Sequence, residues 1–309
     1  MVVMESFAEL FDYNFASIKE EMYAQYPREF DKFMRVESST RPFERRNYLS
    51  GLGLPQRNRD GQALPFVEPV KGLASTFIPV TYRLGYQIEK QAVEDELWNL
   101  LSSRPRSMVY GSIVIRDMVA ADILNNGFTL QGYDLGGTPL FDTAHDREDG
   151  ASTWANQINE DQPITTETVF NAVASLLSLL QDSIGLNIGY SGTITIYVPM
   201  INSELWQQAC EVVNSVMNPG TSDNKINAAI KEFRLVAQPL RYLTNEDAWF
   251  IGWEPNTPNY GLTLIERVQP EISPLKPFGG NDDVWWSRLR MRFTAGYENK
   301  RGIAAVHAG

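Results

Sequence analysis

The sequence holds a single cysteine, Cys210, so no internal disulfide can close and no zinc site built on paired thiolates can form. Histidine is almost as scarce. His145 and His307 are the only two, and a metal centre needs three or four ligands in fixed geometry. No apolar run approaches the roughly 20 residues that a bilayer requires. The longest, near Ala172 to Leu180, stops well short, and no membrane span is expected. The opening Met1-Val-Val-Met-Glu-Ser6 lacks the basic start, apolar middle and small-residue cleavage site of a secretory signal, so the chain is expected to stay where it is made. A glycine-rich phosphate loop is also missing: Gly136-Gly137 and Gly279-Gly280 read as turn glycines without a lysine or helix context. Basic charge is in deficit, 27 Lys and Arg against 38 Asp and Glu. The resulting net charge of −11 opposes general adhesion to nucleic acid by the chain as a whole.

What is present is ordinary folding material. The 309 residues, 43% hydrophobic and 21% charged, suffice for one extended core or two smaller ones. Over residues 1–35, Phe7, Leu10, Phe11, Phe15, Ile18, Met22 and Tyr26 recur at helical spacing ahead of Pro27, which predicts one or two short amphipathic helices. Their stripe is too apolar to face water, so it must lie on the rest of the chain or on a neighbour. From Arg41 to Thr81, nine glycines and prolines exclude a helix. The polar tip Gln56-Arg-Asn-Arg-Asp-Gly61 between Tyr48–Leu54 and Ala63–Val70 predicts a hairpin. Arms of about ten residues at roughly 3.3 Å each would project it by about 30 Å. Such an excursion is most economically explained as contact with another copy of the chain.

Further on, Val80, Tyr82, Leu84, Tyr86 and Ile88 keep period two and predict a half-buried strand. A helical face over 89–101 leads to a long helix near 106–126, opened by Pro105 and stopped at Gly127. Residues 129–163 read as loop, 167–183 as helix, 193–198 as strand and Ser203–Met217 as helix. Strands are expected at 234–237, 248–253, 261–268 and 285–297. Helices and strands mix without a regular repeat, so the class is α+β.

The order of these elements, together with "YRLGYQIEKQAVEDELW", "TITIYVPMINSELWQQA" and "WWSRLRMRFTAGYENKRGIAA", resembles the major capsid proteins of tailed phages, which have the Hong Kong 97 fold. "GGTPLFDTAHD" and "LRYLTNEDAWFIGW" resemble the Mu-type head subunits in particular. The resemblance implies an N-terminal arm at 1–40, an extended loop at 41–81 and a peripheral domain at 82–163 that carries a spine helix. It further implies an axial domain at 164–255 and a return to the peripheral domain at 256–309. It also implies a non-enzymatic subunit that joins copies of itself as hexamers and pentamers of an icosahedral head around double-stranded DNA, without sequence-specific binding and without a membrane. The virion would be its location, after assembly in the host cytoplasm. With only forty residues ahead of the loop, a separate scaffold protein is expected, beside a portal and a decoration protein. Lys71 lies on the returning arm, not the tip, so the lysine–asparagine cross-link of some relatives is not carried over. The alternatives are an encapsulin-like compartment of the same fold and a hydrolase built on His145.

The residues weigh against catalysis, cofactor and metal alike. His145 stands among Asp142, Asp146 and Asp149, but it is the only local nitrogen donor, and Asp142 and Thr143 are suited to shaping a turn. Cys210 falls with Trp206, Val213 and Met217 on one helical stripe, which predicts a buried, unreactive thiol. Arg288, Arg290 and Arg292 alternate with Leu289, Met291 and Phe293 beside Trp285 and Trp286. An amphipathic sheet strand explains that pattern more simply than a stacking platform for single-stranded nucleic acid. The expected contacts between subunits are Arg41, Arg45, Arg46, Arg57, Arg59 and Asp60 on the loop and Phe7 and Phe11 on the arm.

Overall fold

The computed structural model describes residues 17–49, 54, 55, 57, 66, 71–95, 100–129, 138–147, 153–158, 163–179, 192–217, 226–256, 260–273, 275–278 and 281–306. The first half runs α1 (17–25), α2 (Phe30–Phe33), β1 (Arg35–Ser38), β2 (Glu44–Leu49), β3 (Lys71–Phe77), β4 (Val80–Glu89), α3 (Lys90–Glu94) and α4 (Leu100–Asn125). Short strands β5 (His145–Asp146), β6 (Thr153–Trp154) and β7 (Gln157–Ile158) follow, then α5 (Thr166–Leu179), β8 (Thr193–Pro199), α6 (Ser203–Asn214) and α7 (Ala228–Glu232). The chain closes with β9 (Arg234–Leu240), β10 (Trp249–Trp253), β11 (Leu262–Ile272), β12 (Lys276–Phe278), β13 (Asn281–Tyr297) and β14 (Ile303–Val306).

Two five-stranded sheets organise these elements. The first has the order β1-β11-β13-β12, with β4 on the other side of β13. Period-two alternation fixes it: Leu289, Met291, Phe293, Ala295 and Tyr297 of β13 are buried in the core that α4 supplies with Ala120, Ile123 and Leu124. Tyr82 of β4 stacks on Phe293 with ring centroids 4.7 Å apart. The second sheet has the order β7-β14-β10-β8-β9, and all seven residues of β8 are buried, as expected of a central strand with helices on its faces. α6 starts where Asn202 Oδ1 accepts from the amides of Glu204 and Leu205 at 3.1 and 3.2 Å.

Several expectations change. Val80 and Leu84 are exposed because β4 is an edge strand with no apolar layer over half its length. Thr81 lies within β4, opposite Arg292. The long helix begins at Leu100 and takes Pro105 into its interior. The 129–163 stretch contains three short strands, not only loop. α6 ends at Asn214, and its buried residues are Ala209 and Val212. Trp206, Cys210 and Val213 are therefore only half-buried and Met217 is exposed, because β8 and β9 receive the helix on the adjacent stripe.

The arm ends in a wedge between the sheets. Ile18 and Met22 of α1 pack on Val109 and Ile113 of α4, so this part of the stripe is covered by its own chain. A four-residue helix such as α2 cannot satisfy its own termini, and distant side chains do so. Asp117 Oδ1 of α4 accepts from the amides of Glu29 and Phe30, both at 2.9 Å. Tyr197 of β8 donates to Lys32 O at 3.2 Å, and Tyr260, just before β11, donates to Phe33 O. Burial and the neighbouring Glu29 outweigh those amides and push the Asp117 carboxyl up to about 6 from an ordinary 3.8.

Folding therefore favours protonated Asp117, and its contribution is complete below pH 4 and drains away as pH rises through about 6. Denaturant unfolding followed from pH 4 to 7 is expected to show about 2 kcal/mol of loss from this group. Asp117→Asn keeps the oxygen acceptor and is expected to flatten that slope.

Candidate assembly surface

The base of the 41–81 loop is an antiparallel ladder that runs from Glu44 opposite Phe77 to Leu49 opposite Lys71. Glu298, just past β13, gathers three donors from segments far apart in sequence. Arg35 Nη2 lies 2.9 Å from its Oε1, Thr263 Oγ1 donates at 2.7 Å, and Arg46 Nη1 closes the set. Glu37 completes a four-membered network, with Arg35 Nε at 2.7 Å and Arg46 Nη2 in contact. Ser75 Oγ donates to Tyr297 O at 3.0 Å, and Phe77 is buried beneath the Arg46 guanidinium. The Arg46 hydrogen bond holds the Glu37 carboxyl below the usual carboxylate range. Arg46 in turn stays above its ordinary value, the bonds to Glu37 and Glu298 outweighing its burial.

Glu298 is itself held by a close backbone crossing. Its amide donates to Gly261 O at 2.8 Å, and a methyl group on Gly261 would meet Asn299 O at 1.7 Å. Only glycine fits there.

Outward from this clamp the chain presents uncovered side chains. Arg41, Phe43, Arg45 and Arg57 are exposed. Leu54 and Phe66 are 72% and 92% exposed. Arg46 faces inward, engaged within its own chain. Arg59, Asp60, Phe7 and Phe11 lie outside the described residues.

His145 sits elsewhere, in the β5–β6 hairpin. It is buried, stacks on Trp154 at 4.4 Å and shares a 2.9 Å hydrogen bond between Nε2 and Asn156 Oδ1. Burial lowers its pKa below the ordinary imidazole value. Asn156 binds the segment together, donating to Leu140 O and Lys300 O at 2.8 and 3.0 Å and accepting from the Asp142 amide at 3.0 Å. Asp142 Oδ1 accepts from the Ala144 amide at 3.1 Å, a side-chain turn. Among the described residues no three His, Cys, Asp or Glu side chains gather as a metal site would require.

Residues 75–170 match the family model of the Mu-like prophage major head subunit gpT. The fold agrees with solved capsids. The chain is similar to the capsid protein of cyanophage P-SCSP1u, with 9% identity over 91% of this chain and 88% of that one and a TM-score of 0.55. It is similar to the capsid of the native GTA particle, with 11% identity over 91% of both chains and a TM-score of 0.54. For the procapsid of bacteriophage JBD30 the values are 10%, 99%, 76% and 0.51. The comparison with curated proteins gives no match. The chain has the fold of these capsid proteins.

The loop arginines were legible from sequence, but the carboxylates that receive Arg46 were not. Glu298 stands 252 residues from Arg46 in the chain, and no local pattern joins them. Glu298→Ala leaves two arginines and a threonine short of one acceptor and is expected to cost about 1–3 kcal/mol. Hydrogen exchange should quicken selectively in β2 and β3. Because Glu37 is stabilised as the anion, its contribution is full above its ordinary 4.5 and is lost as pH falls through its lower folded value. The same two strands are thus expected to loosen in acid. Asn156→Ala strands several buried groups and is expected to cost about 2–4 kcal/mol in a thermal or denaturant melt.

Proposed function

We propose that the subunit builds an icosahedral head from hexamers and pentamers of itself, closed around double-stranded DNA. In this reading the 41–81 loop is the arm by which each copy grips the next. One observation carries the reading: the loop base is anchored rigidly to the sheet by the Glu298 network, while Leu54 and Phe66 beyond it extend large apolar side chains that their own chain leaves bare. Burying side chains of this size is worth about 1.5–3 kcal/mol each, which repetition around a shell multiplies. Arg41, Arg45, Arg57, Arg59 and Asp60 set the direction of that contact against an acidic neighbour. Arg46 acts at its root, and Phe7 and Phe11 of the arm bury themselves on an adjoining copy. The map of arm, loop, peripheral domain, axial domain and return given by the sequence is retained. The role is structural, and His145 is an internal stitch, not a base. A separate scaffold protein, a portal and a decoration protein complete the assembly in the host cytoplasm. An encapsulin-like compartment is the less favoured reading, since the family matched over 75–170 is a phage head subunit.

Expressed alone or with a candidate scaffold and imaged by negative stain, the chain is expected to give shells, tubes or capsomer rings. Phe66→Asp should leave the melting temperature of the free subunit unchanged and abolish those particles. A wild-type chain that stays solitary at high concentration would remove the reading.

A further inference from the structure

The face of the first sheet opposite α4 carries a row of positive charge. Along β13, Arg288, Arg290 and Arg292 share one face, spaced by about 6.8 Å for each two residues of strand. The ladder to β4 places Arg83 directly opposite Arg290, flanked by Gly85 opposite Arg288 and Thr81 opposite Arg292. Lys276 of β12 is paired with Trp286 at the head of the row, and the Arg288 guanidinium lies over the Trp286 ring at 5.5 Å. Like charges directly opposed across a ladder repel. Arg83, Arg290 and Arg292 have no ion pair among the described residues, and Arg292 Nε is buried without an acceptor. Two carboxylates border the row. Glu271 faces Arg290 from β11 without closing an ion pair, and Glu89 lies opposite Val284 at the far end.

We infer that this face is a track for the phosphate backbone of DNA, read without regard to sequence. Three guanidinium groups at regular intervals with a fourth beside them ask for a regularly repeating anion. The chain's own carboxylates do not offer one: none of its 38 Asp and Glu residues forms a run of three at alternate positions. Phosphodiesters repeat by nature, and arginine matches their geometry. In an otherwise acidic subunit such a contact is weak and strongly salt-dependent, holding the polymer along a wall without fixing it. That last step rests on the shell reading; the track itself does not.

Fluorescence anisotropy with a labelled duplex and a labelled single strand, titrated with the full-length chain over a salt series, tests the assignment. The wild type is expected to show a log–log salt slope of about −3, the sum over up to four phosphates. Arg290→Gln and Arg83→Gln should each flatten the slope by about one and weaken binding several-fold, without lowering the melting temperature. Lys231→Gln on α7 should bind as the wild type does. No salt-dependent binding by the wild type, or variants that bind like it, would overturn the inference. Displacement of the duplex by polyglutamate as readily as by unlabelled duplex would also overturn it, in favour of an acidic protein partner. Variants that lose DNA binding but still form particles in negative stain keep the track separate from assembly.

Discussion

A single seventeen-residue strand, β13, constrains the rest of the subunit. It pairs with β11 and β12 on one side and with β4 on the other, so the first sheet has no path that avoids it. From Leu289 to Tyr297 its odd-numbered side chains enter the core against α4, while Arg288, Arg290 and Arg292 lie on the other face. A one-residue slip would exchange the two sets, exposing Leu289, Met291 and Phe293 and burying three arginines, a change no packing adjustment could offset. That penalty fixes the register and places Tyr297 and Glu298 where the loop base needs them. The long helix, the loop anchor and the cationic face are three consequences of one alternation.

The loop base shows why an ionic network is used at such a joint. Arg35, Glu37, Arg46 and Glu298 are each only about a quarter to a third exposed, so their mutual attraction is less screened than at an open surface while water still meets part of the desolvation cost. Apolar packing would hold the hairpin as firmly but would leave its direction loose. Guanidinium–carboxylate geometry is directional, and sharing Glu298 between β1, β2 and β11 ties the direction of the loop to two strands of the sheet. The α2 wedge works similarly: its ends are capped by side chains from α4, from β8 and from Tyr260 ahead of β11, so the arm cannot move relative to one sheet without disturbing the other.

What could be read from the sequence was what local periodicity carries. Alternation from Trp285 to Tyr297, the apolar run of β8 and the helix over Thr166–Leu179 each depend on neighbours within a few residues and form; of the hairpin between Arg41 and Thr81, only the base ladder of Glu44–Leu49 with Lys71–Phe77 lies among the described residues. Failures arose where tertiary contact decides. Trp206, Cys210, Val213 and Met217 make as good a stripe as the one α6 buries, and only the placement of β8 and β9 selects Ala209 and Val212. Val80 and Leu84 look buried until β4 is found at an edge. Of the candidate assembly surface, the arginines and the breaker-rich stretch from Arg41 to Thr81 were visible as composition. The carboxylates beneath were hidden by sequence distance, and so was the pairing of Arg83 with Arg290, which exists only once β4 and β13 are in register.

Charge supplies the last step. The chain has 38 acidic residues for 27 basic ones, so acid is never in short supply. Where a cation serves an internal joint the fold provides that acid: Arg116 meets Glu266 at 2.8 Å with almost no exposure, and Arg241 meets Glu29 at 3.0 Å. Arginines left opposing one another in a chain with surplus carboxylates are therefore not the residue of a shortage. Their repulsion is tolerated in the isolated subunit because an anion outside it removes the repulsion on binding, which is the free-energy signature of a surface shaped for a partner and not for its own core.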